Sequence, residues 1–67
     1  MNIDLNIDNY DLSDILNLFQ VGHNFDEGDL KKSKKKVLKL HPDKSGLNKD
    51  YFLFFSKAYK ILYQLYE

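Results

Sequence analysis

The chain has no cysteine, no arginine and no tryptophan, and only one proline and three glycines in 67 residues. Without cysteine there is no disulfide and no thiolate to hold zinc or an iron–sulfur cluster, which suits a reducing compartment. Without arginine the usual bidentate fork for phosphate is missing. No apolar run nears the roughly 18 residues needed to cross a bilayer, and no basic-then-apolar leader opens the sequence. No glycine-rich phosphate loop is visible, and Ser45 and Ser56 have no evident base partner. His23, His41 and Asp43 match no standard metal spacing. The expectation is therefore a protein that is not an enzyme, needs no cofactor, does not enter a membrane and resides in the cytoplasm.

What the chain does have is bulk and segregated charge. Five Phe and five Tyr supply core volume for a domain whose size buries only about 60% of its unfolded surface. Net charge is zero, yet residues 1–29 carry seven acids and no lysine, while residues 30–67 carry all ten lysines and three acids. Such asymmetry points to a charged partner surface. The Asn-, Lys- and Tyr-rich, Arg-free composition suits an AT-rich genome, such as that of a large DNA virus or a protist. In the viral case the expected location is the host cytoplasm.

Apolar spacing is helical throughout, so an all-α domain is expected at 10–67 behind a polar lead-in at 1–9. Three segments open alike. Asp11 with Asp14, Asp26 with Asp29, and Asn48 form polar caps, and each cap follows an apolar residue (Tyr10, Phe25 or Leu47) able to staple into the first turn. The spacing predicts helix I at about 12–19, helix II at about 27–40 and helix III at about 49–66. Leu12, Ile15, Leu16 and Phe19 share one side of helix I. Leu30, Ser33, Val37 and Leu40 share one side of helix II, with lysines over the remaining arc. In helix III, Phe52, Phe55, Tyr59, Leu62 and Tyr66 form the expected core stripe, and Ala58 permits close approach by another helix. Pro42 ends helix II, and Asp43, Ser45 and Gly46 are turn formers. This gives an antiparallel hairpin of helices II and III with a loop at its tip, and a short helix I packed across it.

Three stretches then resemble one family. "DLSDILNL" at 11–18, "KVLKLHPDKS" at 36–45 and "FLFFSKAYKIL" at 52–62 together look like the J domain of DnaJ-type co-chaperones. The likeness spans about residues 11–63. An isolated His-Pro-Asp is a weak signal that a proline stop would explain. Set between a lysine-rich helix and an aromatic helix, it is far more specific. The sequence departs from the family pattern at Ser33, where an aromatic is common, and at Lys36, where a large aliphatic is usual. These departures rotate the apolar stripe of helix II by roughly 60° relative to His41. The family's later modules are not within these 67 residues, so the chain is read as a bare module, expected to be monomeric, or as the N-terminal part of a larger protein.

The resemblance implies a small three-helix J-domain-like fold and a co-chaperone role: docking on a DnaK-type heat-shock ATPase and stimulating its ATP hydrolysis. His41, Pro42 and Asp43 match the stimulatory triplet, with Lys44 flanking it. Asp43 is expected to accept hydrogen bonds from a partner arginine. Lys34 and Lys35 match basic docking positions, and the geometry of the helix face adds Lys31 and Lys39. Two alternatives stand beside this reading. One is a degenerate J-like interaction module, without chaperone stimulation, inside a larger assembly, a viral one if the source is a virus. The other is nucleic-acid binding through the lysines of helix II, which the zero net charge, the lack of arginine and the acidic first half disfavour. No small-molecule substrate is implied. His23 is read as a loop residue with no role.

Overall fold

A computed structural model describes residues 4–67. Four α-helices follow a short 3-10 turn at Ile7–Asn9: α1 (Leu12–Leu18), α2 (Glu27–Lys39), α3 (Pro42–Ser45) and α4 (Lys49–Tyr66). No strand occurs among the described residues. The long helices begin where their caps dictate. Asp11 accepts from the Asp14 N–H at 2.9 Å while Asp14 accepts from the Asp11 N–H at 3.1 Å. Asp26 and Asp29 repeat this reciprocal pair at 2.9 and 3.3 Å. Asn48 accepts from the Asp50 N–H at 2.9 Å to open α4. Each box satisfies two backbone donors that a helix start leaves free.

The core lies along α4, which packs on α2, α1 and the N-terminal turn. It consists of Ile15, Leu16, Phe19, Leu30, Val37, Phe54, Phe55, Ala58 and Leu62. Ala58 and Leu62 are wholly buried. The expected stripe of α4 needs correction. Tyr66 is 43% exposed, Phe52 and Tyr59 are only half-buried, and Phe54 is buried instead. The buried arc centres on Ala58, about 60° round the helix from the expected line. Two causes act together: Ala58 lets another helix come close, and tyrosine hydroxyls favour the wet rim of a core. Leu12, also expected inside, is 46% exposed.

Ring contacts fix the helix directions. Phe25, just before α2, lies 6.2 Å from Tyr66 at the end of α4. His41, just after α2, lies 5.2 Å from Phe52 in the first turn of α4. The two helices therefore run in opposite directions. Phe19, which ends α1, meets Phe55 and Tyr59 edge-on at 6.1 and 6.4 Å.

Two further segments complete the fold. Of the lead-in at 1–9, residues 1–3 lie outside the described residues, and the remainder is ordered on α4. The Tyr10 hydroxyl donates to the Asp4 carbonyl at 2.6 Å, and its ring sits 5.1 Å from Phe54. Pro42 and Asp43 of the triplet are helical rather than plain loop, with His41 as the cap, since Pro42–Ser45 forms one turn of α-helix.

Candidate functional site

The tip is built from its own backbone needs. Pro42 occupies the first turn of α3, where a missing N–H costs nothing. Gly46 ends that turn at φ 70°, and its N–H donates to the Pro42 carbonyl at 3.0 Å. That left-handed conformation suits glycine. Ser45 closes the junction on both sides. Its hydroxyl donates to the Leu40 carbonyl and accepts from the Leu47 N–H, each at 3.1 Å.

His41 is the N-cap of α3. Its Nδ1 accepts from the Asp43 N–H at 3.2 Å, and its ring stands edge-on to Phe52. The Asp43 side chain is 91% exposed, with Oδ2 3.8 Å from the His41 Nδ1. Pro42 is half-buried and Lys44 is exposed. Leu38, His41, Asp43 and Lys44 line a shallow groove of about 280 Å³.

Beside the tip runs the lysine face of α2. Lys31, Lys34, Lys35 and Lys39 are all exposed; Lys35 and Lys39 lie opposite Leu30, Ser33 and Val37, Lys31 on the flank, and Lys34 near the edge of that buried stripe. Lys31 approaches Glu27 at 3.7 Å, with both side chains well exposed. Such a pair contributes only about 0.3–0.5 kcal/mol, so Lys31 exchanges partners readily. All eight residues expected at the site therefore lie on one continuous run from α2 into α3.

Sequence reasoning missed two neighbours. Leu38 is 48% exposed among these lysines, where it adds an apolar contact next to His41. The signal was available: one residue past buried Val37 is a rotation of about 100° away from the core. Phe52 was assigned to the core, yet its ring props the imidazole of His41.

Lys36 and Ser33 have internal roles. The Lys36 Nζ donates to the Leu18 carbonyl at 3.0 Å, at the end of α1. Ser33 is buried, and its hydroxyl donates back to the Asp29 carbonyl at 2.9 Å. With Phe19, Val21 and Lys32, these side chains border a second groove of about 280 Å³ between α1 and α2.

The two histidines lie at opposite ends of α2. Among the described residues no group of three or more acidic or histidine side chains comes together to hold a metal ion. No helix among them is long and apolar enough to cross a membrane. No protein-family model, curated protein or solved structure matches this chain.

Proposed function

We propose that the chain is a J-domain co-chaperone module. It docks on a DnaK-type heat-shock ATPase through His41, Pro42, Asp43 and Lys44 and through Lys31, Lys34, Lys35 and Lys39, and it stimulates ATP hydrolysis by that partner. One observation carries this reading. The Asp43 carboxylate stands 91% exposed at the tip of an ordered turn, directly after a helix whose lysines are exposed. A carboxylate held this way suits a partner arginine, and charge-assisted pairs of that kind are the strong ones. The lysines would speed encounter with an acidic surface and make binding salt-sensitive. The module would bias its partner between two states by binding one of them better. A cytoplasmic setting, in a host cell if the source is viral, belongs to the same proposal.

A second reading, a J-like interaction module without ATPase stimulation, draws on Ser33 and Lys36. Both serve the α1–α2 junction and leave a groove where bulkier side chains are common in J domains. Single-turnover ATP hydrolysis by several DnaK-type ATPases separates the two. Stimulation by the wild type, lost in His41→Gln and Asp43→Asn, is the expected result. No stimulation with any partner would leave the interaction module.

A further inference from the structure

The charge segregation of the sequence has a counterpart in space. Leu12, Leu16, His23, Phe25 and Leu65 line a groove of about 150 Å³. It lies at the end of α2 away from the tip, where Phe25 meets Tyr66. The groove exists because two helices outrun the core. Leu65 stands seven residues beyond buried Ala58, within about 20° of the same line on α4, yet it is 44% exposed. Leu12 stands on the line of buried Ile15 and Leu16 in α1 and is 46% exposed. Both leucines lie on core-facing lines but past the last layer of the core.

Acids border this groove. Asp11 precedes Leu12, Asp26 follows Phe25, and Glu67 lies two residues past Leu65, all three exposed. Asp11 and Asp26 each give one oxygen to a helix cap, which leaves the charge in place. The other end of α2 carries the complement. Leu38 is 48% exposed, with Lys34 and Lys35 one turn before it and Lys39 beside it. Lys44 borders the same depression. Among the described residues none of these four lysines is held in an ion pair. Phe25 and Leu38 stand near opposite ends of α2, about 20 Å apart along its axis, so a chain cannot fill its own groove.

We propose that the chain associates with a second copy of itself. Leu38 of one copy enters the groove of the next, and the lysines around it meet Asp11, Asp26 and Glu67. The size fits, because a cavity of about 150 Å³ admits benzene and a leucine side chain is smaller. Charge complementarity selects the occupant. A nucleic acid or an anionic bilayer suits the lysines but is repelled by the acid-bordered groove, whereas a second copy satisfies both surfaces. Zero net charge also removes overall repulsion between copies. The two surfaces are unlike, so the contact is heterologous and can repeat from copy to copy. It is small, hence weak, and belongs to high concentration and low salt. The contact is independent of the co-chaperone reading. Under that reading it covers Lys34, Lys35 and Lys39 and competes with the chaperone.

Sedimentation equilibrium at up to about 1 mM chain, in about 0.01 M and about 0.15 M salt, tests this. The wild type is expected to exceed the monomer mass at the lower salt and to approach it at the higher. Leu38→Gln removes the knob, and Leu65→Gln spoils the groove. Each should weaken self-association at least about tenfold, the contribution of one buried leucine. Both side chains are nearly half exposed, so both variants should keep the wild-type circular-dichroism spectrum. If Leu65→Gln loses helicity, Leu12→Gln takes its place. An equimolar mixture of the two variants is the decisive arm. Leu38→Gln retains a groove and Leu65→Gln retains a knob, so together they should form heterodimers and nothing larger. Leu53→Gln, at an exposed leucine outside both surfaces, should associate as the wild type does. A wild type that stays monomeric at low salt overturns the proposal. So does an association indifferent to salt, a mixture that stays monomeric, or equal weakening by Leu53→Gln.

Discussion

The ammonium group of Lys36 donates to the carbonyl oxygen of Leu18 at 3.0 Å, across 18 residues of sequence. It places a positive charge from α2 on the negative end of α1, a helix with no basic residue in its own last turn. A cation there stabilises by about 0.3–1 kcal/mol at low ionic strength. Lys36→Met should therefore lower the melting temperature by a few degrees, given about 4–8 °C per kcal/mol for a domain of this size. The difference should shrink in high salt. A melting temperature unchanged at low salt would show that the bond contributes nothing.

The revised core makes a sharper claim. Phe54→Ala or Leu62→Ala should cost about 2–5 kcal/mol, enough to unfold much of so small a domain. Tyr66→Ala should cost far less, because that side chain is 43% exposed. Circular-dichroism melts of the three variants decide this, and equal losses for Phe54 and Tyr66 would restore the stripe read from spacing alone.

Gln20 holds φ at 57° directly after α1 ends. For a residue with a Cβ this costs about 1–2 kcal/mol, and glycine escapes most of it. Gln20→Gly is expected to raise the unfolding midpoint in urea, with the slope unchanged. A fall in the midpoint would mean that the amide side chain makes a contact worth more than the strain.

Alkaline pH should loosen the N-terminal turn. Burial first, then the charges of Asp4 and Asp14, raise the Tyr10 phenol above its usual value. Burial and then Tyr63 raise Tyr59 likewise. A raised folded value means stability that is full below the unfolded value near 10 and is lost as pH climbs through the folded one. At the acid end, the Asn9 amide and then the Asn6 N–H hold Asp4 below the usual carboxylate value. Its contribution is present above that value and fades as pH falls. Melts across the alkaline range should show a decline that is shallower in Tyr10→Phe.

The helix starts were legible because Asp11, Asp26 and Asn48 act locally, within three residues of the groups they cap. The exposure of Lys31, Lys35 and Lys39 was legible too, because helical spacing alone turns them away from Leu30, Ser33 and Val37. The helicity of the tip was not. Pro42 was read as a stop, but a proline that ends one helix also suits the first position of the next, and Gly46 was placed to end that turn. The tie from Lys36 to Leu18 joins segments far apart in sequence, so no local pattern announces it. The rotation of α4 was hidden because spacing counts Tyr and Phe alike, whereas burial distinguishes a ring with a hydroxyl from one without.

That α4 carries the core has a consequence for how the domain is made. During synthesis, residues 1–48 emerge first with both capping boxes, the lysine face and the tip already encoded. Ile15, Leu16, Leu30 and Val37 then have little to bury against, and α1 and α2, with 7 and 13 residues, are marginal as isolated helices. Only when Phe54, Phe55, Ala58 and Leu62 leave the ribosome can all four find their partners. The domain should therefore fold late and in one step, and a chain stalled before α4 would be a ready substrate for chaperones itself.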